Sequence, residues 1–484
     1  MVKQNKFRLF IENIFVYGIG GVISKLVPLI MVPIVTRLMP DTGDYGVSDL
    51  SNTVASFGSA IAGMGMYDAM FRMFFEKEDK KYKKDICSTA LNYLFCTSIV
   101  VFVILILCKS LIARLVFGDI KYEYLVYITA TTTLLHATNN IVSAPTRMQN
   151  KRKIFLATNT IAPIISYTVA ILLIIKGHYI VALPIGAAVS ALLMELSFYC
   201  INKEWFKLGF IDIKLLKQLL LIGVPLLPNF LIYWLFNSSD KLMIVSLMST
   251  SASGIYSVGS KFGHVSQLIY TAFAGGWQYF AFSTMKEENQ VKSNSLIFEY
   301  LGIISFTASL FVFPLSYPVF KILFTGDYVQ GYVVSPYLFM APLVQMLFQV
   351  AGNQFIVIKK TWPNMIILFG GAISNILLNY YLIPILGIEG AGIATLVGYT
   401  ISVIVGVIVL RKMKLITLSL RFVISSALMV IYIVSWRILY KDSFVVSISI
   451  SFVLAIINIC LYSSELKMLA NMIKNKGSKK NDNA

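Results

Sequence analysis

Apolar runs of twenty or more residues follow one another along nearly the whole chain, separated by short turns rich in Lys and Arg. A run of about 20 apolar residues is long enough to cross a bilayer as a helix. The runs fall at 12–37, 47–72, 86–108, 124–146, 154–176, 179–202, 219–247, 252–280, 297–320, 332–358, 364–384, 388–410, 418–438 and 444–463. Helix plus short loop takes about 30–35 residues, so a chain of this length holds about fourteen spans. Composition points the same way. Hydrophobic residues make up 57% and charged residues 13%, with a mean hydropathy of +0.76, against about 25% charged in a soluble domain. This excludes disorder and argues against a soluble enzyme. The fold class expected is an all-α polytopic membrane protein.

The net charge of +18 would suggest nucleic acid in a soluble protein. In a membrane protein it follows from the preference of Lys and Arg for cytoplasmic loops, and no nucleic-acid partner is expected. With the N-terminus inside, inner segments carry 30 of the 41 Lys and Arg, outer segments 8 and spans 3. Both termini are therefore expected in the cytoplasm, and membrane lipids are the first partner. Cys87, Cys96, Cys108, Cys200 and Cys460 form no CxxC pair, so neither a disulfide framework nor a metal site is indicated.

The chain repeats internally. The predicted outer turn Arg37–Ser48 resembles Leu247–Ser257, and their glycines, Gly46 and Gly254, are 208 residues apart. At the same offset Lys151–Lys153 falls on Lys359 and Lys360. Two six-helix lobes related by a parallel pseudo-two-fold follow, at 1–202 and 203–410, with two extra helices at 411–464 and a tail at 465–484. Proline gives a further clue: Pro28 and Pro33 in span 1, Pro225 and Pro228 in span 7. Broken helices at corresponding places in two halves point to a transport site.

Ionisable residues inside a membrane are costly and point to function. Lys25 lies 12–13 residues from either end of its span, about 18–20 Å at 1.5 Å per residue, beyond snorkelling reach, so it is expected to line a cavity. Asp240 and Lys241 are adjacent and so face different ways. Lys261 lies between Gly259 and Gly263, at the GxxxG spacing of close helix contact. For Lys241 and Lys261 the alternative is snorkelling to the outer interface. Asp68 and Arg72 are four apart, so they can pair, and Arg72 lies near the inner end of its span, at the interface rather than in the cavity. Asp240 is expected to pair across helices with Lys261 or Lys25, or else to take up a proton or Na⁺ as a coupling ion. Glu12 and Glu299 are expected to be solvated at inner helix ends. The excess of Lys25, Lys241 and Lys261 over Asp240 predicts a cavity that attracts an anion. No nucleotide-binding loop, HExxH, GxSxG or Cys/His cluster occurs, so no catalytic residue, metal or cofactor is expected.

Four segments resemble one family: TRLMPDTGDYGVSDL (36–50), GMGMYDAMFRMFFE (63–76), the stretch from GVPLLPNFLIYWLFNSSDKLMIV to GIYSVGSKFG (223–263), and NILLNYYLIPILGIEGAGIAT (375–395). They resemble the Wzx-type polysaccharide flippases of the multidrug/oligosaccharidyl-lipid/polysaccharide exporter superfamily, over residues 12 to about 410. The resemblance implies two lobes around a V-shaped central cavity. It also implies ion-coupled export of an undecaprenyl-pyrophosphate-linked oligosaccharide, such as an O-antigen or capsular repeat unit, from the inner to the outer leaflet of a bacterial cytoplasmic membrane. Basic residues of the family's central helices contact the pyrophosphate-sugar, which carries over to Lys25, Lys241, Lys261 and Arg72. A polysaccharide polymerase and other assembly proteins are the implied partners. The chain departs from the pattern in offering lysines where bidentate arginine would clamp a phosphate best. The competing readings are a cation-coupled multidrug antiporter of the same superfamily and a membrane glycosyltransferase or polymerase.

Overall fold

The computed structural model describes residues 25–283, 288–358, 360 and 362–465. Among these residues there is no strand. The first half contains α1 (25–38), α2 (Thr42–Gly63), α3 (Met66–Phe74), α4 (Lys80–Leu107), α5 (Lys109–Leu115), α6 (Glu123–Met148), α7 (Arg152–Ile175) and α8 (Tyr179–Asn202). Next come α9 (Ile213–Gly223), α10 (Leu227–Leu247), α11 (Thr250–Gly263), α12 (Gln267–Ser283), α13 (Gln290–Leu323), α14 (Ser335–Val357), α15 (Trp362–Leu386) and α16 (Ile388–Lys412). Finally come α17 (Leu420–Ser435) and α18 (Phe444–Leu461).

Among the described residues, ten helices are long and apolar enough to cross a membrane, counting α9–α10 as one. The other four predicted spans differ for physical reasons. The first lies partly outside the described residues. The second is split: Met64 (φ 45°) and Gly65 (φ 66°) are left-handed, separating α2 from α3. A β-carbon on Gly65 would lie 2.3 Å from the Gly223 carbonyl oxygen, so glycine is needed there for both conformation and space. The eighth span divides into α11 and α12 at a 3₁₀ turn, His264–Ser266. The fourth, α6, is continuous but rich in threonine. Thr129, Thr132, Thr133 and Thr138 turn their hydroxyls back onto carbonyls four residues earlier, which satisfies them inside an apolar layer.

Helix boundaries carry the repeat. Thr42 opens α2 and Thr250 opens α11, at the offset of the glycines. Shifting α6, α7 and α8 by the same amount lands them within four residues of the bounds of α14, α15 and α16.

The two largest apolar cores hold the halves. The first joins Met70 and Phe74 of α3 to Leu91 of α4 and Phe198 of α8, and takes in Trp205, Phe206 and Leu219. The linker and α9 thus pack with the first half, although α10, directly after them, packs with the second. Pro225 lies in the 3₁₀ turn Val224–Leu226 and Pro228 in the first turn of α10, and span 7 breaks there. The second core gathers Phe236, Phe306, Phe313, Leu396 and Tyr399, with Phe422, Tyr432 and Trp436 of the last pair of helices. Tyr432 donates to the Leu310 carbonyl at 3.0 Å, so α17 is bound to α13. Glu299 is not solvated as its position suggested. It is 3% exposed and accepts from the Ser419 amide and hydroxyl at 2.6 and 2.7 Å. The turn into α17 folds over it and supplies those donors. Glu12 lies outside the described residues.

Candidate functional site

The halves meet where α2 crosses α11. A β-carbon on Gly46 would lie 2.1 Å from the Thr250 carbonyl oxygen, and one on Gly254 would lie 1.9 Å from that of Thr42. The two backbones touch, and only glycine permits it. Further along the same face of α2, about one turn on, stands Asp49. Its Oδ2 accepts from Lys241 Nζ of α10 at 2.5 Å and its Oδ1 from Lys261 Nζ of α11 at 2.7 Å. Lys261 also donates to the Tyr45 hydroxyl at 2.8 Å and stands 5.0 Å from that ring's centroid. Tyr45 meets Tyr328 edge-on at 5.8 Å, and the Tyr328 hydroxyl donates to the Met39 and Asp41 carbonyls at 2.8 and 3.0 Å. One carboxylate from the first half thus holds two cations from the second, at the predicted outer end.

Lys241 and Lys261 therefore do not snorkel; they turn inward to a shared counter-ion. Asp49 carried no expectation from the sequence, because it sits near a predicted span end, where a carboxylate ordinarily meets water. Its place in the segment 36–50 was the available signal. Gly259 and Gly263 do mark a close contact, but toward other elements: added β-carbons would lie 2.5 Å from the Gly331 carbonyl oxygen and 2.7 Å from Leu338 Cβ.

Asp240 faces away from this cluster, as adjacency to Lys241 requires. It is 2% exposed and pairs with neither Lys261 nor Lys25. Neutral donors surround it instead. Tyr256 donates at 2.6 Å and Asn379 Nδ2 at 2.6 Å, Asn375 Nδ2 stands at 3.4 Å, and Thr395 donates its hydroxyl. Ser239 in turn donates to Asn375 Oδ1 at 3.2 Å, while Asn379 Oδ1 is buried without a partner. These residues come from α10, α11, α15 and α16. Their spacing, Asn375 and Asn379 one turn apart on α15, was visible in the sequence. Their convergence on Asp240 was not.

The remaining expected residues are dispersed. Lys25, at the start of the described chain, is exposed and has no ion-pair partner among the described residues. It lies within electrostatic reach of His264, as does Lys241. Arg72 is exposed on α3, more than 20 residues beyond Asp49, or roughly 30 Å along the helix direction, and is not part of the cluster. It forms no ion pair with Asp68. Pro28 and Pro33 lie inside α1, which is helical throughout 25–38, so they do not break it there; a proline costs a span one internal bond without ending it.

Two cavities lie elsewhere among the described residues, and neither is lined by the Asp49 cluster or by the donors around Asp240. An apolar cleft of ≈ 850 Å³ lies between α13, α14, α16 and α17, lined by Phe306, Met340, Leu396, Phe422 and Met429, with Arg437 at its edge. A smaller one of ≈ 460 Å³ inside the first half is lined by Ser56, Ser59, His136, Asn139 and Asn140. Among the described residues no three His, Cys, Asp or Glu side chains converge as a metal site would require.

This helical arrangement is the fold of the multidrug/oligosaccharidyl-lipid/polysaccharide exporter superfamily, and the chain is a multi-pass membrane protein. The lipid II flippase MurJ in its inward closed conformation matches with a TM-score of 0.72, over 93% of this chain and 100% of that one, at 16% identity. An inward-facing multidrug resistance MATE family transporter matches at 0.59, over 81% and 98%, at 14% identity. A superfamily transporter from Pyrococcus furiosus, described as having a binding pocket of reversed polarity, matches at 0.59, over 84% and 95%, also at 14%. Within this fold the chain belongs to the polysaccharide biosynthesis protein family, whose profile matches residues 34–332. No curated protein matches the sequence.

Proposed function

We propose that this protein is a flippase for an undecaprenyl-pyrophosphate-linked oligosaccharide, moving it from the inner to the outer leaflet of a bacterial cytoplasmic membrane for surface polysaccharide assembly, with both termini cytoplasmic. The observation that carries this is the pair Lys241 and Lys261, two cations that share one carboxylate between the halves of a polysaccharide biosynthesis family member. An excess positive charge in a low-dielectric setting favours an anion, and lysine binds phosphate as a point charge. The same charge disfavours the organic cation of a multidrug antiporter. The substrate's long apolar tail needs an apolar path, and the cleft beside α17 offers one. Lys25, exposed and near His264, would add charge to the route, and Arg72 would meet the headgroup at the inner entrance. A polysaccharide polymerase would receive the product.

Coupling to H⁺ or Na⁺ runs through Asp240. Its carboxylate is held by neutral donors, so no fixed positive charge competes with a bound cation. Thr395 and the amide oxygens of Asn375 and Asn379 could turn toward one. Complementation of a flippase-null strain, read as surface glycan, tests the substrate reading; absence of glycan at normal expression refutes it. In proteoliposomes Asp240→Asn is expected to fold and to bind lipid-linked sugar but not to respond to an imposed ion gradient. Gradient-driven transport that persists in this variant refutes the coupling role.

A further inference from the structure

The polar seam between the halves has a stoichiometry that a static brace does not need. One carboxylate and one lysine would suffice to hold α2 to α11. Here Asp49 divides its two oxygens between Lys241 and Lys261, leaving one uncompensated positive charge at a buried contact, and burying an excess charge is costly. Exposure is uneven as well. The Asp49 side chain is 4% exposed, Lys241 15% and Lys261 28%. The carboxylate is shut in while both lysine side chains keep accessible surface, so an anion arriving from outside the seam meets the lysines before the carboxylate. Each ammonium has three donors, and its bond to Asp49 uses one of them. Two lysines bridged by a carboxylate are also arranged as they would be around a phosphate oxyanion, which offers more charge and more acceptors.

We infer that Asp49 is an internal stand-in for the substrate's anionic headgroup. It neutralises Lys241 and Lys261 while the seam is closed, and a phosphate or pyrophosphate ester that takes the lysines displaces it and releases α2 from α11. Asp49 would thereby determine which ligands open the seam. A ligand shifts a conformational equilibrium only by its difference in affinity for the two states. In the closed state the lysines are shared with Asp49, and in the open state they are free for the anion, so that difference is built into the cluster. A neutral lipid would find no such difference. No covalent step is involved. The inference rests on the proposed anionic, lipid-linked substrate.

Ser257 reports on the seam. It lies one turn from Gly254 on α11 and one turn from Lys261, on the same face, and is fully buried. The experiment uses the full chain with its native cysteines replaced, a Ser257→Cys reporter, reconstitution in nanodiscs and a water-soluble maleimide. The probes are undecaprenyl pyrophosphate and undecaprenol. With Asp49 present, undecaprenyl pyrophosphate is expected to speed labelling at least several-fold and undecaprenol to leave it unchanged. Asp49→Asn is expected to label rapidly without ligand and to bind undecaprenyl pyrophosphate about tenfold more tightly, because the internal competitor is gone. A static brace would not raise affinity when removed. Equal affinity and equal labelling with and without Asp49 overturn the inference while leaving the substrate reading intact. Failure of undecaprenyl pyrophosphate to bind either protein overturns the substrate reading and, with it, this inference. Should Asp49→Asn not fold, the comparison of the two lipids on the Asp49-containing reporter decides alone: equal labelling with both overturns the inference.

Discussion

Replacing Gly254 with Ala adds one methyl group where there is no room for it. The new β-carbon would lie 1.9 Å from the Thr42 carbonyl oxygen. A carbon and a carbonyl oxygen in close contact stay roughly 3.3 Å apart, so α2 and α11 would have to part by about 1.4 Å. Both are helices, and the oxygen is backbone, so no side chain can rotate out of the way. The Lys261–Asp49 ion pair at 2.7 Å lies about two turns along α11 and one along α2. A uniform parting of this size would stretch it to about 4 Å, the limit of an ion pair. Forcing a methyl into a packed contact costs about 1–3 kcal/mol, and such a bias changes a two-state population by roughly 5- to 150-fold. Spin labels at Lys121→Cys and Gln330→Cys, both exposed on the predicted outer face, would measure it by double electron–electron resonance in a background without native cysteines. The expected result is a longer-distance population that Gly254→Ala raises. The control is Gly370→Ala, whose added β-carbon meets nothing within 4 Å and which should leave the distribution alone. A Gly254→Ala distribution that superposes on its parent would refute the argument that this backbone contact holds the halves together.

The same seam should accept a disulfide. A β-carbon on Gly43 would lie 3.0 Å from Ser251 Oγ, within the range a disulfide can span, so Gly43→Cys with Ser251→Cys should cross-link under oxidation and arrest export until reduced; export that continues in the cross-linked protein refutes a moving seam. On the far side of the second half, Glu389 accepts from Tyr337 at 2.9 Å and from Arg437 at 3.0 Å. Arg437→Met leaves that carboxylate buried with one donor fewer and should cost up to about 3 kcal/mol, seen as a lower melting temperature that adding Glu389→Gln partly restores. Lys25→Ala is expected to abolish glycan export at normal expression, while Lys480→Ala, in the tail outside the described residues, leaves it intact; export surviving Lys25→Ala would make that lysine structural.

Local chemistry written along the chain determined the helices, the repeat and the family. Apolar runs of span length and basic turns are properties of consecutive residues, and the repeat is visible as the 208-residue offset between Gly46 and Gly254. Even the broken seventh span was legible, because Pro225 lacks a backbone donor wherever it is put. The charged site was legible only by halves. Lys241 and Lys261 stood out because a cation in an apolar run is costly wherever it points. Asp49 did not, because near a span end a carboxylate is ordinarily cheap. What makes it central is the crossing of α2 over α11, which removes it from water and brings it to both lysines. Asp240 shows the converse. Its depth was readable, but its partners come from α11, α15 and α16. A carboxylate cannot select a lysine over an amide by sequence position; the packing of α15 and α16, more than a hundred residues further on, brought it Asn375, Asn379 and Thr395, while both lysines meet Asp49 instead.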